Sequence, residues 1–170
     1  MMYKLIALTT LLILFVAVSP ACSQLNGEGP FDNPLQAKDE TEERIYRALE
    51  KIRQGPGFAN VSVRDGRMLR LLTEAVGAQT VVEIGTSTGV SAIWFALALK
   101  KTEGRLYTHE IDPERADIAR ENFRLAGVDD LITLIEGDAH ETVMQHDMPI
   151  DIVFLDADKP GYPDYLEKLL

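Results

Sequence analysis

The 170-residue sequence has one cysteine, Cys22, and three histidines. A single cysteine excludes a disulfide framework within one chain and a cysteine-based zinc site. The histidines, His109, His140 and His146, are scattered and lack the spacing of metal ligands. No basic cluster is present and the formal net charge is −10, so we do not expect a nucleic acid as the partner.

The overall composition is that of a globular protein, with 46% hydrophobic and 26% charged residues. The length suits one domain of ordinary size. Residues 24–38 are rich in glycine, proline and asparagine and show no apolar periodicity, which is typical of a linker. We therefore place the domain at residues 39–170.

Residues 1–23 differ from the rest of the chain. Lys4 gives a positive start, an apolar run follows, and small residues surround Ala21, as in a signal peptide. The run is short for a stable membrane span. We expect export to the periplasm or the cell exterior. A lipoprotein or membrane anchor, with Cys22 as the tether, is the second interpretation, and a cytoplasmic protein with a mis-assigned start is the third.

Two helices are predicted at the start of the domain. Apolar side chains recur at helical spacing within residues 39–54, with charged residues such as Glu42 on the solvent side. Ser62 can cap a second helix, which Gly77 ends. The second helix is expected to bury one apolar face, made of Met68, Leu69, Leu71, Leu72 and Val76.

From Thr80 onward the sequence alternates between strand and helix patterns. Strands are predicted around residues 81–84, 105–110, 131–135 and 150–155, with helical segments between them. Such alternation is typical of a parallel sheet with right-handed crossovers. The predicted fold class is α/β, a parallel sheet with flanking helices.

The stretch VVEIGTSTG, residues 81–89, predicts a buried strand that opens into a small-residue loop before a helix. Its glycines, Gly85 and Gly89, follow the pattern G-x-x-x-G. The middle glycine of the dinucleotide fingerprint, which lets backbone touch a pyrophosphate, is absent. The loop therefore favours a phosphate-free ligand such as S-adenosylmethionine, and a methyltransferase over a dehydrogenase. An ordinary turn between strand and helix is the alternative.

Each predicted strand finishes at or near an acid, and ligands of open α/β sheets bind beyond these ends. Glu110 can accept hydrogen bonds from both hydroxyls of a ribose. Asp138 can accept from an adenine amino group, or it can instead cap a helix. An acid after the second strand also suits the ribose of a nicotinamide cofactor, so an NAD-type oxidoreductase stays as a weaker alternative.

Asp156 and Lys159 follow the last strand in the phrase D-A-D-K. A carboxylate at a strand end is a suitable ligand for Mg²⁺, which keeps several waters and needs few protein ligands. The metal would acidify a substrate hydroxyl, and a nearby lysine could accept its proton. On spacing alone, a solvated turn explains the same residues.

Residues 60–170 resemble the cation-dependent O-methyltransferases of the caffeoyl-CoA and catechol O-methyltransferase type. The resemblance rests on VVEIGTSTGVSA, GRLYTHEIDPERADIARENFRLAGV, ITLIEGDA and DIVFLDADKPGYPDYLEKLL. It implies the Rossmann-like class I methyltransferase fold. It also implies methyl transfer from S-adenosylmethionine to a metal-bound hydroxyl of a phenolic or catechol-like small molecule, with Mg²⁺ as the expected cation.

The resemblance implies roles for individual residues. The methionine part of the cofactor would lie beside Asn60, Val61, Glu83, Gly85 and Ser91. Glu110 would bind the ribose, and Asp138 with Ala139 the adenine. Asp156 would bind the metal and approach the cofactor amine, and Lys159 would be the general base.

The sequence also departs from this family. Val90 stands where the family commonly has tyrosine, and the chain reaches Leu170 before the Asp-Asn pair that completes the family's metal site. We therefore expect a chain without the C-terminal strands, in which the last strand leaves an open apolar edge. An exported, non-catalytic remnant that keeps the fold is the main alternative function. A homodimer is expected because dimers are common among the relatives that the chain resembles.

Overall fold

The computed structural model describes residues 12–14, 33–55 and 58–170. Its centre is a five-stranded parallel sheet in the order β1-β5-β2-β3-β4. The strands are β1 (Leu12–Leu14), β2 (Thr80–Ile84), β3 (Arg105–Glu110), β4 (Ile132–Glu136) and β5 (Ile152–Leu155). The described helices are α1 (Glu40–Arg53), α2 (Val63–Val76), α3 (Val90–Thr102), α4 (Pro113–Ala126), α5 (Ala139–Thr142) and α6 (Tyr162–Leu169). The predicted α/β fold class, a parallel sheet with flanking helices, is confirmed.

The helix boundaries follow from local capping chemistry. The side chain of Asp39 accepts the Glu42 N–H at the start of α1, and Ser62 accepts the Asp65 N–H at the start of α2. Gly77 ends α2 in the left-handed conformation, as predicted. Because such signals lie within a few residues of the helix end, the sequence was sufficient to locate them.

The sheet is covered on both faces. Val81, Leu106 and Phe154 belong to the core on the side of α1, α2, α3 and α4, whereas Val82 and Val153 face α5 and α6. Residues 90–99 of α3 are all buried, including Trp94, which is 1% exposed. This helix is apolar on every side because it lies between the sheet and a second layer made by α1 and α2.

The predicted buried face of α2 is correct only in part. Leu69 is buried as predicted, but Met68, Leu71 and Val76 are 42%, 56% and 47% exposed, and the other buried residues of the helix are Gly66 and Thr73. A Cβ atom at Gly66 would overlap the ring of Trp94 on α3. The small residue therefore lets the helices approach and rotates α2 away from its most apolar stripe.

Glu42 is also placed differently from the prediction. It is 4% exposed and forms an ion pair with Arg70 of α2. Arg70 also donates to the hydroxyl of Tyr46 at 2.6 Å and to Glu74 at 2.7 Å. An acid counted as a solvated side chain is thus part of a buried polar network between α1 and α2.

The last strand does not have the open edge that the sequence suggested. Leu12–Leu14 pairs along Ile152–Leu155 in parallel register, with Leu12 opposite Ile152. These three residues lie within the predicted signal segment 1–23. Cys22, the rest of that segment and part of the linker 24–38 lie outside the described residues. Among the described helices, none is both long and apolar enough to cross a bilayer.

Candidate functional site

A cavity of about 600 Å³ lies at the carboxyl ends of the strands. Its wall is made by residues 58–61 and by the segments that follow β2, β3, β4 and β5. Most of the predicted site residues line it: Asn60, Val61, Gly85, Ser91, Glu110, Asp138, Ala139 and Asp156. Glu83 and Lys159 are not part of the lining. Residues that are far apart in the sequence therefore meet at the edge where a ligand of an α/β sheet is expected.

The glycine loop is shaped by two close approaches. Gly85 has a φ of +101°, and a Cβ atom there would lie 2.6 Å from the carbonyl oxygen of Asp156. Gly89 has a φ of +84°, and its Cβ would overlap the ring of Phe123 on α4. Both positions exclude side chains, so the G-x-x-x-G spacing is explained by packing as well as by access to a ligand.

Asn60 joins the upstream segment to this loop. Its side-chain oxygen accepts a hydrogen bond from the Thr88 hydroxyl at 2.8 Å. Asn122 of α4 donates to the Thr88 backbone oxygen at 2.9 Å. The segment that covers the cavity is therefore held through Thr88 to both the loop and a helix.

Glu110, at the end of β3, is 5% exposed and oriented by backbone donors. One carboxylate oxygen accepts the Ser87 N–H at 2.7 Å, and the other accepts the Asp112 N–H at 3.0 Å. Because a carboxylate has about four lone-pair sites, each oxygen keeps the capacity to accept from a ligand. The geometry fixes an acceptor pair at the cavity wall.

Asp138 caps a helix, as one of the two interpretations of the sequence predicted. Its side chain accepts the His140 N–H at 2.9 Å and so caps α5. The residue also lines the cavity, next to Ala139. Capping thus fixes the direction of the α5 segment along the cavity wall.

Glu83 lies fully buried beneath the cavity rather than in its wall. One oxygen accepts the Thr108 hydroxyl at 2.5 Å, and the other has no hydrogen-bond partner among the described residues. Burial raises the pKa of Glu83 to about 7, against the opposite effect of the neighbouring Ser91 and Thr108 hydroxyls. A buried acid that titrates near neutrality is sensitive to any charge that enters the cavity.

Asp156 lies at the cavity mouth, where burial raises its pKa and the charge of Lys159 opposes the rise. Lys159 is exposed and begins the short 3-10 turn after Asp158. No group of three or more potential ligand side chains converges anywhere in residues 12–14, 33–55 and 58–170. Asp156, the predicted metal ligand, is therefore not part of such a group within the described residues.

The cavity residues that sequence reasoning missed include His109, His140 and Tyr165. His140 lies over the ring of Tyr165, with ring centroids 4.5 Å apart, and Asp164 raises its pKa through a hydrogen bond to Nδ1. The Tyr165 hydroxyl donates to Asp158 at 2.5 Å. The sequence offered one indication that the two histidines lie at the site. His109 directly precedes Glu110, and His140 directly follows Ala139.

Acidic side chains dominate the charge around the cavity. Glu110, Asp138, Asp156 and Asp158 all line it, together with the single guanidinium of Arg115. Since these carboxylates outnumber the guanidinium, a cationic ligand is favoured over an anionic one. The wall chemistry does not suit a diphosphate.

Comparison with known proteins identifies relatives. The sequence profile of the O-methyltransferase family matches residues 40–170. The catechol O-methyltransferase of Niastella koreensis is 38% identical over 112 residues, 64% of this chain and 50% of that protein. The catechol O-methyltransferase of Mycobacterium tuberculosis is 40% identical over 108 residues, 63% of this chain and 49% of that protein.

A solved structure shares the fold as well. The O-methyltransferase of Bacillus cereus in complex with SAH superposes with a TM-score of 0.65 at 34% identity, covering 79% of this chain and 62% of that chain. The chain spans about half the length of the curated relatives that it matches. The matched profile covers most of the described domain, and the sheet, the glycine loop and the strand-end acids lie within it. The chain therefore belongs to the O-methyltransferase family.

Proposed function

We propose that the chain binds S-adenosylmethionine in the strand-end cavity and serves methyl transfer to a hydroxyl of a small molecule. The observation that carries this proposal is the meeting of Asn60, Glu110, Ala139 and Asp156, from four separate segments, in one acidic cavity. The methyl donor carries a sulfonium and an ammonium group. Both are cations, which the surrounding carboxylates favour.

The wall suggests an orientation for the cofactor. Glu110 presents two carboxylate oxygens to the ribose hydroxyls, and the segment around Ala139 lies beside the adenine. Asn60, Val61, Gly85 and Ser91 surround the methionine end, with Glu83 beneath them. The entering positive charge favours the ionised form of Glu83, whose burial otherwise favours the protonated form.

The proposed reaction breaks the bond between sulfur and the methyl carbon and forms a bond between that carbon and the acceptor oxygen. The hydroxyl proton passes to Lys159, the proposed general base. Positioning two bound partners supplies much of the acceleration. A catechol-like acceptor is proposed because two curated relatives are catechol O-methyltransferases.

A divalent cation such as Mg²⁺ belongs to the proposal, with Asp156 as one ligand. When bound, it would stabilise the negative charge of the acceptor oxygen. The described residues provide one ligand of such a site. We therefore assign to this chain only the binding of the cofactor and the removal of the proton from the acceptor hydroxyl.

Calorimetric titration with S-adenosylhomocysteine (SAH) tests the binding site. We expect Glu110→Ala to weaken SAH binding about tenfold or more, since hydrogen bonds to a charged group contribute about 1.5–3 kcal/mol. Glu136→Ala is the matched control. Glu136 lies opposite Glu110 on β4, but it pairs with Arg120 outside the cavity. Equal affinity of the wild type and Glu110→Ala would contradict the ribose assignment.

A separate assay of methyl transfer to a catechol, with and without Mg²⁺, tests the chemistry. Transfer by the wild type and its loss in Lys159→Met support the proposed reaction. SAH binding without any transfer would instead support the alternative, a non-catalytic domain that keeps the fold. Tighter binding of NAD than of SAH would favour the oxidoreductase alternative.

We also propose that residues 1–23 direct export, with a membrane tether or a cytoplasmic location as the alternatives. N-terminal sequencing of the protein recovered from cell fractions tests this. A mature chain that starts near Ser23 supports cleavage and export. An intact N-terminus in the cytoplasm would contradict it, and would be consistent with the pairing of Leu12–Leu14 in the sheet. A homodimer remains a proposal for sedimentation analysis.

A further inference from the structure

His109 connects the two walls of the cavity that receive different parts of the ligand. Its backbone oxygen accepts the Gly85 N–H at 3.0 Å and the Thr86 N–H at 3.1 Å. These two bonds determine how the glycine loop leaves β2. Any displacement of His109 along β3 therefore moves the loop.

The side chain of His109 extends to the opposite wall. It is 1% exposed, and its Nδ1 lies 2.8 Å from the Thr142 hydroxyl on α5. Its Nε2 lies 2.8 Å from Nε2 of His146, which follows the 3-10 turn Val143–Gln145. The His146 ring also packs edge-on against Tyr107, with centroids 5.4 Å apart. One buried side chain thus contacts the last residue of α5 and the residue after the 3-10 turn. Both belong to the segment whose start, Gly137 to His140, lines the cavity.

The pair is neutral near pH 7. Burial lowers the pKa of His109 to about 4, with His146 acting in the same direction, and burial lowers the pKa of His146. A contact between two ring nitrogens at this distance needs one N–H and one lone pair, which two neutral rings provide. Protonation of both rings would leave no lone pair at either Nε2 and would break the bond.

Neighbouring charged groups are engaged elsewhere. Glu110 is bonded to the backbone of Ser87 and Asp112. Asp138 caps α5, and Glu136 pairs with Arg120. The two rings therefore bond to each other and to Thr142 rather than to a carboxylate.

We propose that His109 and His146 form a positioning pair that holds the adenine wall, residues 137–140, at a fixed distance from the glycine loop and so sets the affinity for the cofactor. This inference rests on the proposed function, because it concerns the same cavity. Neither ring is assigned a chemical step. The pair acts through the segments that it joins.

Titration of the full chain with SAH at pH 7.5 tests the pair. His146→Phe keeps the ring against Tyr107 but removes the bond to His109, and we expect about fivefold to tenfold weaker binding, as the loss of one buried hydrogen bond predicts. His146→Gln places an amide near the position of Nε2 and is expected to recover the affinity to within about twofold. The matched control is Met144→Ala, an exposed side chain on the 3-10 turn that precedes His146.

Thermal unfolding without ligand separates stability from binding. A merely structural role of His146 would lower the melting temperature of His146→Phe and leave the SAH affinity of the folded protein unchanged, and that result would overturn the inference. Equal weakening by the Gln and Phe variants would also overturn it. If the wild type itself does not bind SAH, the proposed function fails first, and this inference falls with it. If His146→Phe does not fold, the comparison of His146→Gln with Met144→Ala decides, and a fivefold or greater loss in His146→Gln contradicts the positioning role.

Discussion

Replacing Gly85 by alanine tests the geometry of the glycine loop most severely. A side chain there would combine a φ of +101° with a Cβ atom 2.6 Å from the Asp156 carbonyl oxygen. A disfavoured backbone conformation costs about 1–3 kcal/mol, and an overpacked contact about 1–3 kcal/mol more. We therefore expect Gly85→Ala to lower the free energy of unfolding by about 2–6 kcal/mol, a large part of the ~5–15 kcal/mol of a typical domain.

Gly77→Ala is the matched control for this change. Gly77 also has a positive φ, +64°, but a Cβ atom there would meet nothing within 4 Å. It carries only the left-handed backbone penalty, about 1–2 kcal/mol. Urea unfolding followed by circular dichroism measures both variants, and SAH titration should show weaker binding for Gly85→Ala alone. If the two variants lose equal stability and bind SAH equally well, the close approach of the loop to Asp156 is refuted.

Two further predictions concern buried charges. Glu83 has a pKa of about 7 in the folded chain against a usual value of 4.5, so the wild type loses stability as the pH rises from 4.5 through 7. The stability of Glu83→Gln relative to the wild type should therefore increase by about 3 kcal/mol between pH 4.5 and 7.5 in urea unfolding; a constant difference would contradict this pKa. Arg70→Met should lower the free energy of unfolding by about 3–5 kcal/mol, because it leaves the buried carboxylate of Glu42 without its cation. The double variant Arg70→Met with Glu42→Gln should recover most of that loss. Recovery is measured in the same assay, and a loss below about 1 kcal/mol for the single variant would refute the network's importance.

The elements that could be predicted from the sequence are those whose signals are local. The cap at Ser62, the terminating Gly77 and the apolar strands each depend on a few neighbouring residues. The meeting of strand-end residues at one edge follows from the parallel topology, so Glu110 and Asp156 could be placed in one site before their coordinates were known.

Contacts between helices could not be predicted in the same way. The orientation of α2 depends on Gly66 meeting Trp94 across 28 positions of sequence, which no periodicity within α2 reveals. Glu42 looks like a solvated acid until Arg70 is brought beside it. His109 and His146 looked unrelated in the sequence because they lie in different segments. His109 belongs to β3, and His146 follows the 3-10 turn Val143–Gln145. In each case the two residues are distant in sequence and at least one of them is polar or small, so the hydrophobic pattern of a single element does not indicate the contact.

A crystal structure of this chain with SAH is the most direct test of the central claim, that the carboxyl ends of β2, β3, β4 and β5 form one adenosine-binding cavity. We predict ribose hydroxyls within hydrogen-bond distance of both Glu110 oxygens and an adenine ring beside Ala139. A ligand bound elsewhere on the molecule, or a ribose that does not contact Glu110, would contradict the account.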